Sequence, residues 1–305
     1  MVHTLSIRAL GSIALAAALF FISFVTTSAA TFEEYPGSPV FDYSGVSGTF
    51  DQMRVSGPEI IKVGSDYWMY YTGLGNGNPT QIGLATSSDG INWTRHPNNP
   101  VFSCAENTTT NCTTGGVWSS FRTQVVNVIE ENGVYKMWYH GDNVNLNGKG
   151  RIGYATSSDG VNWTPYANNY IWPDNANDSF GVYTVVPFNG EYYMYFRDQN
   201  NTLPLRLATS SDGITWTEHP QSPILNMLPD GFSVIDGKIY MINRDEHIGV
   251  STDGITFEFD ETQSVIDWTD RGSCTFIKEG DVVKMWYSHN QGIPASPMQR
   301  LQQMC

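Results

Sequence analysis

The sequence predicts an all-β protein, a five-bladed β-propeller of four-stranded antiparallel blades, in which an N-terminal strand closes the ring and the last blade is incomplete. Two recurring units and the mismatch between their counts predict this fold. The first unit, TSSDG, begins at Thr86, Thr156 and Thr209, with a shortened copy, STDG, at Ser251. The second is an aromatic segment centred on Met69, Met137, Met194, Met241 and Met285. Such self-similarity indicates one supersecondary unit used repeatedly.

Residues 1–30 are expected to be a secretory signal peptide, because Arg8 precedes an apolar run from Ile13 to Val25 and the small residues Ser28, Ala29 and Ala30 follow. A single membrane anchor is the alternative, but the apolar run is short for a bilayer span and no basic cluster follows it. Residues 31–305 are then expected to form one propeller domain, secreted to the extracellular space or the periplasm.

The formal net charge of −14 for the whole sequence argues against nucleic acid or an anionic membrane as a partner. A neutral carbohydrate is compatible with such a surface, and solubility outside the cell explains the charge equally well.

Each repeat predicts four strands in a fixed order. Two strands form a hairpin around short polar turns such as EENG, and the second of them carries the methionine. The third strand runs into the TSSDG turn, where Gly tolerates positive φ and Asp bonds nearby backbone amides. Trp93, Trp163 and Trp216 open the fourth strand, so they are expected to pack within the blades.

The strand counts predict how the ring closes. Five hairpins and five fourth-strand segments are present, but only four TSSDG strands. One fourth-strand segment, Ser38 to Phe41, precedes the first complete repeat, and no third strand is recognisable after His289. We therefore expect Ser38 to Phe41 to complete a last blade that lacks its third strand.

The blade geometry predicts that inner strands begin, and second strands end, on one face of the ring. The polar residues assigned to this face are Asp51, Arg54, Arg122, Asp178, Asp230 and Asp270 from strand starts, and His140, Asp142, Arg197, Asp198, Arg244, Asp245 and His289 from strand ends. Arg54 and Arg122 occupy equivalent places, where they would pair with neighbouring aspartates or hold an anionic group on a sugar.

Four cysteines in a secreted chain permit disulfides. Cys104 and Cys112 bracket a short polar loop and are expected to be bonded, whereas the pairing of Cys274 and Cys305 stays open. The cysteine and histidine spacing does not suggest a zinc site.

The array of xMWYxG and IGxATSSDGxNWT units resembles the five-bladed glycoside hydrolases of the arabinanase, invertase and levansucrase group, families 43, 32 and their relatives. The resemblance covers Ser38 to His289. It implies a glycoside hydrolase that acts on furanoside- or pyranoside-containing oligo- or polysaccharides, with three inner-strand carboxylates in an axial funnel serving as base or nucleophile, as general acid and as orienting group.

One position departs from that family pattern. Gly57 stands where the family has an aspartate, and the corresponding later positions are Val125, Val182, Gly231 and Ser273. The nearby carboxylates are Asp51, Glu59, Asp178, Asp230 and Asp270, among which Asp51 is expected to be the base, with Asp178 and either Asp270 or Asp230 as partners.

Further residues are expected to bind substrate at the mouth. They are Arg54, Arg122, Glu59, His140, Arg197, Asp198, Asp245, Tyr183, Trp268 and His289. No cofactor is required by the resemblance, which does allow a structural calcium or sodium ion in the central channel near His140 or His289.

Two other functions are compatible with the sequence. A non-catalytic carbohydrate-binding propeller would keep the polar and aromatic funnel without a catalytic carboxylate pair. The sialidase group looks similar at Ser210 to Trp216, but there Asp and Gly are separated by one residue whereas here they are adjacent.

Overall fold

The computed structural model describes residues 2–8, 33–76, 79–103, 122–142, 150–172, 180–198, 204–245, 247–260, 271–280 and 282–289. Every element within these ranges is a β-strand. The described ranges contain no helix with the length and apolar character of a membrane span. Two strands, β1 (Val2–Arg8) and β2 (Glu33–Glu34), precede the repeats.

Three sheets contain four antiparallel strands each, with an inner strand followed by three strands towards the outside. The first consists of β3 (Arg54–Val63), β4 (Asp66–Leu74), β5 (Gln81–Ser87) and β6 (Thr94–Arg95). The second consists of β7 (Arg122–Glu131), β8 (Val134–Asp142), β9 (Arg151–Ser157) and β10 (Thr164–Trp172). The third consists of β11 (Phe180–Phe188), β12 (Glu191–Asp198), β13 (Arg206–Ser210) and β14 (Thr217–Glu218). The predicted all-β propeller of four-stranded antiparallel blades is thereby confirmed.

The fourth sheet has eight strands in the order β18-β17-β16-β15-β19-β20-β1-β2. Its C-terminal strands are β15 (Pro229–Ile235), β16 (Lys238–Asn243), β17 (Ile248–Ser251), β18 (Glu258–Phe259), β19 (Arg271–Glu279) and β20 (Val282–His289). The structure therefore has four sheets, and the prediction of five separate blades is wrong. A single parallel pairing of Gly231 with Cys274 joins the two halves of this sheet. It forms because Gly231 has no side chain: a Cβ there would lie 2.2 Å from the Cys274 Sγ atom.

The last four strands of this sheet are complete, so the prediction of an incomplete last blade is also wrong. The β1 strand pairs along its length with β20, and β2 pairs with β1. The completing strands thus come from Val2–Arg8 and Glu33–Glu34, upstream of the predicted Ser38 to Phe41. That predicted segment instead packs on the first sheet, where the Phe41 ring meets the Tyr71 ring at 4.9 Å.

Aromatic side chains join neighbouring sheets through a repeated hydrogen bond, which we call the latch. In each latch a ring on a second strand donates to the carbonyl of the glycine in the next sheet's TSSDG or STDG turn, at 2.8 Å. The four latches are Tyr70 to Gly160, Trp138 to Gly213, Tyr195 to Gly254 and Trp286 to Gly90. The Trp286 latch joins the last strands to the first sheet and so closes the ring.

The TSSDG turn itself is scaffold, as predicted. The Asp89 carboxylate accepts hydrogen bonds from the backbone amides of Ile91 and Asn92, at 2.8 and 2.7 Å. These bonds, led by that of Asn92, hold the pKa of Asp89 well below its usual range. The buried Trp163 and Trp216 rings belong to the cores between sheets, which confirms their predicted packing role.

Candidate active site

The five inner strands surround a central cavity of about 460 Å³. Neighbouring inner strands contact one another in the cyclic order β3, β7, β11, β15, β19 and back to β3. Each contributes residues to the cavity wall. The cavity is therefore the place where residues from different repeats meet.

A β-bulge interrupts every inner strand at the same height to within one residue. The register shifts between Ser56 and Glu59, Val125 and Asn127, Val182 and Thr184, Pro229 and Gly231, and Gly272 and Cys274. The bulged residues Gly57, Pro58, Val126, Tyr183, Asp230 and Ser273 all line the cavity. Bulges commonly re-aim side chains next to active sites. The bulges also explain an offset in the prediction. Three positions matched to Gly57 from the sequence, Val125, Val182 and Gly231, lie one residue away from the bulge of their strand.

The residue that follows each bulge gives a second set of equivalent positions. They carry Glu59, Asn127, Thr184, Gly231 and Cys274. Glu59 is the one carboxylic acid in this set, and it lines the cavity. Its Oε1 accepts a hydrogen bond from Asn127 Nδ2 at 2.8 Å, and the Val128 amide also donates to the carboxyl group.

Burial changes the acidity of Glu59. Desolvation raises the pKa of its carboxyl group to about 8, and the hydrogen bond from the Val128 amide lowers it only in part. The group is consequently protonated at neutral pH. Glu59 is therefore a carboxylic acid that lines the cavity and can donate a proton.

Asp230 is the second carboxylate in the cavity. Its side chain is 8% exposed and lies 3.4 Å from the guanidinium of Arg244, measured from Oδ1 to Nε. Burial raises the pKa of the Cys274 thiol, and the charges of Asp230 and Glu59 add to this effect. Cys274, a buried free thiol, therefore lies within electrostatic reach of both carboxyl groups.

Four arginines line the same cavity: Arg54, Arg122, Arg197 and Arg244. Arg54 and Arg122 each begin an inner strand in the same register, which confirms their equivalence. Arg122 forms an ion pair with the buried Asp142 at 2.8 Å. Desolvation raises the pKa of Asp142, although Arg122 opposes this shift. The guanidinium of Arg197 lies 5.9 Å from the Tyr183 ring.

The predicted site residues divide into three groups. The cavity brings together Arg54, Glu59, Arg122, His140, Tyr183, Arg197 and Asp230. Asp178, Trp268 and Asp270, like Cys104, Cys112 and Cys305, lie outside the described residues, and Asp198 and His289 are described only as backbone. Asp245 is an exposed residue and does not contribute to the cavity wall.

Asp51, the predicted base, does not line the cavity. It is 1% exposed, and its Oδ2 accepts hydrogen bonds from Arg95 Nε at 2.7 Å and from the Tyr71 hydroxyl at 3.1 Å. The partner Arg95 belongs to β6, the outermost strand of the first sheet. Asp51 is thus held by its own blade, away from Glu59 and Asp230.

Two residues of this site were missing from the prediction. Asn127 binds Glu59, and Cys274 lies between the sheet halves. The equivalence of Asn127 to Glu59 could have revealed the first, because both follow the bulge in their strands. Among the described residues, no group of three His, Cys, Asp or Glu side chains is arranged to hold a metal ion.

One family model and two relatives match the sequence. The model of the glycoside hydrolase 130 family, described as β-1,4-mannooligosaccharide phosphorylase, matches residues 105–267, more than half of the chain. The uncharacterized proteins MT1551 and Rv1502 of Mycobacterium tuberculosis are each 30% identical over 210 residues, which cover 65% of this chain and 66% of the relative. The chain thus matches just under two thirds of the length of these relatives.

Solved structures share the fold at low identity. Zg3597, a family 117 glycoside hydrolase of the marine bacterium Zobellia galactanivorans, is 14% identical with a TM-score of 0.58, covering 87% of this chain and 95% of that one. The GH32 β-fructofuranosidase BmSUC1 of Bombyx mori is 16% identical with a TM-score of 0.52, covering 76% of this chain and 54% of that one. These likenesses support the glycoside hydrolase β-propeller fold alone.

Proposed function

This chain belongs to the glycoside hydrolase 130 family, and from that membership we propose that it is a phosphorylase, which cleaves β-mannosidic oligosaccharides with inorganic phosphate. In this proposal Glu59 is the general acid and the cavity arginines hold the phosphate. This replaces the more general prediction of a hydrolase of families 43 or 32 acting through Asp51.

The charge of the cavity carries the proposal. Four arginines and Asp230 line it, whereas Glu59, with a pKa of about 8, is neutral near pH 7. The chain as a whole has a formal net charge of −14. A positive cavity in an acidic protein favours an anionic ligand, and arginine is suited to phosphate because its guanidinium can donate two parallel hydrogen bonds.

Phosphorolysis needs fewer protein carboxylates than hydrolysis by a general base. A phosphate oxygen supplies the electron pair that forms the new bond to the anomeric carbon, so no carboxylate has to activate water. The bond from that carbon to the leaving oxygen breaks, and the leaving oxygen takes the Glu59 proton. The products are a sugar 1-phosphate and a shortened oligosaccharide, and Glu59 regains a proton from the bound phosphate.

The aromatic bulge supports a sugar subsite. Tyr183 is the bulged residue of β11 and lines the cavity beside Arg197. An aromatic ring presents an apolar face, while Arg197 and His140 offer hydrogen-bond donors to sugar hydroxyls. We therefore assign the wall around Tyr183, including Arg197, to the carbohydrate and the other three arginines to the phosphate.

The proposal predicts that activity depends on phosphate. Purified protein incubated with β-1,4-mannooligosaccharide should release a sugar 1-phosphate only when inorganic phosphate is added, and Glu59→Gln should abolish this release. Arg122→Met should raise the KM for phosphate by about tenfold or more, the equivalent of about 1.4 kcal/mol. Lys62→Met is the matched control, because Lys62 forms a partly exposed ion pair with Glu279 and does not line the cavity.

Hydrolysis is the second candidate, favoured by the presence of two carboxyl groups, Glu59 and Asp230, in one cavity. They would act as acid and base. Phosphate-independent release of reducing sugar, lost in both Glu59→Gln and Asp230→Asn, would establish this function in place of phosphorolysis. Binding of an oligosaccharide without turnover under either condition would favour the non-catalytic binding propeller.

Secretion with removal of residues 1–30, and a disulfide between Cys104 and Cys112, remain proposals. The mass of the mature protein, measured with and without reduction and alkylation, would test both.

A further inference from the structure

We propose that Asn127 is a positioning residue for Glu59: its side-chain amide fixes which carboxyl oxygen carries the proton. The inference rests on the proposed role of Glu59 as general acid. It starts from the equivalence of the two residues, each of which follows the bulge of its inner strand, on the adjacent strands β3 and β7.

The contact between them is short and sheltered. Asn127 is 7% exposed, and its Nδ2 donates to Glu59 Oε1 at 2.8 Å. The amide of the next residue, Val128, also donates to the Glu59 carboxyl group. One short stretch of β7 thus supplies both donors and restricts how the carboxyl group can turn.

The chemistry of the Asn127 amide and the Glu59 carboxyl group determines which carboxyl oxygen carries the proton. A neutral carboxylic acid has one oxygen that only accepts and one that carries the proton. Because Nδ2 can only donate and the carbonyl oxygen is the stronger acceptor of a carboxylic acid, we assign Oε1 as the carbonyl oxygen and the proton to Oε2. A general acid whose proton always resides on the same oxygen is prepared for transfer to a leaving group.

A merely structural amide would be expected to use both of its ends. Asn127 Oδ1 is buried and has no hydrogen-bond partner within the described part of the chain. Its polar side chain is thus committed to Glu59 through Nδ2 alone. The equivalent positions on the other inner strands, Thr184, Gly231 and Cys274, carry neither a carboxyl nor an amide side chain.

The amide also affects the acidity of Glu59. A donated hydrogen bond favours the charged carboxylate and lowers its pKa, so loss of the donor raises the pKa. The other charged or titratable groups that line the cavity around Glu59 are Arg54, Arg122, His140, Tyr183, Arg197, Asp230, Arg244 and Cys274. They are unchanged by substitution of Asn127, so a shift in titration reports the lost contact.

Two variants test the inference. Asn127→Asp keeps the shape of the side chain but replaces the donor with a second acid, and Asn127→Leu removes the donor without adding charge. We expect both to lower kcat about tenfold or more with little change in KM, and Asn127→Asp to move the alkaline limb of the pH profile upward by about one pH unit. The control is Asn99→Asp, because Asn99 is hydrogen bonded to Leu84 and Tyr71 in the first sheet, outside the cavity wall.

A second measurement separates this inference from the proposed function. The difference in unfolding free energy between Glu59 and Glu59→Gln proteins, followed against pH, reports the titration of Glu59 without any substrate. If Asn127→Leu, which adds no charge, moves this titration while the chain cleaves no glycoside, the contact acts as inferred and the proposed function fails. If the chain is active and both Asn127 variants keep the wild-type pH profile and titration, the positioning role is overturned.

Discussion

Glu59 owes its chemistry to its surroundings. The same side chain in water would be ionised at neutral pH, but burial in the wall of the ring raises its pKa to about 8. Its folded pKa lies above that of the unfolded chain, so the folded state holds the proton more tightly. Stability is therefore highest below the unfolded pKa and falls as the pH rises towards 8.

The raised pKa of Glu59 in the folded state predicts how the unfolding free energy changes with pH. Between about pH 4.5 and pH 8, the Glu59 contribution should decrease by about 1.4 kcal/mol per pH unit. Glu59→Gln, which cannot ionise, should remove this slope and make the protein relatively more stable at the alkaline end of the range. Chemical denaturation of both proteins at several pH values measures the difference, and parallel curves would contradict the shifted pKa.

Several residues predicted from the sequence line the cavity, but the proposed function gives the acid role to Glu59 instead of the residues expected to act as catalysts. Arg54, Glu59, Arg122, Tyr183 and Asp230 were all predicted and all line the cavity. Asp51 was preferred because it precedes an inner strand. Its ion pair with Arg95 joins residues 44 positions apart, a contact that local sequence does not reveal.

At the scale of elements, the latch explains why the turn glycine recurs with aromatic residues. Gly160 has a φ of 72°, and a Cβ there would lie 2.7 Å from the Trp68 ring and 2.8 Å from the Tyr70 hydroxyl. Glycine is therefore required both for its backbone conformation and for the close approach of the neighbouring sheet. The two repeated units of the sequence are the two halves of one contact.

The latch predicts a specific stability loss. Tyr70→Phe and Tyr195→Phe each remove the donor and leave the buried carbonyl of Gly160 or Gly254 without it, so each should lower the unfolding free energy by about 1 to 2 kcal/mol. Tyr35→Phe makes the same chemical change on an exposed side chain and should have no measurable effect. Denaturation midpoints that agree among all three variants would show that the latch contributes nothing.

The strands themselves were predictable because hairpin turns and alternating residues are local signals. The bulges were not, since an extra residue is visible only against the partner strand. This is why the positions equivalent to Gly57 were displaced by one residue on β7, β11 and β15. The latch was also missed, although its two halves had been identified separately.

At the scale of the molecule, the N-terminal strand has two incompatible assignments. The sequence places Val2–Arg8 in a signal peptide, whereas the structure pairs this segment with β20 along seven residues. A chain from which residues 1–30 are removed would leave β20 at the edge of its sheet. Unpaired edges favour association with another chain.

Comparison of residues 1–305 with residues 31–305 tests this pairing. We expect the shorter protein to unfold at lower denaturant concentration and to associate in a concentration-dependent way, because β20 has lost the ladder to β1. Denaturation curves and sedimentation at several protein concentrations provide the measurement. Equal stability and a monomeric state in both forms would show that β1 does not support the mature fold.

The global strand count was only partly predictable. Five hairpins are readable in the sequence, but the fusion of two sheets depends on Gly231 and Cys274, which are 43 residues apart. Nothing in either residue alone indicates that their backbones meet.

The bulges divide each inner strand into two halves that are out of phase. Side chains alternate along a strand, and one extra residue exchanges the two faces from that point onward. On β7, Arg122 and Gln124 face the cavity above the bulge, while Asn127, of opposite parity, meets Glu59 below it. Deletion of Val126 alone would restore uninterrupted alternation along β7. Either Arg122 could then face the cavity or Asn127 could reach Glu59, but not both. Arg122 at the cavity and the amide that meets Glu59 therefore share one strand only because of Val126, a residue whose own side chain performs no chemistry.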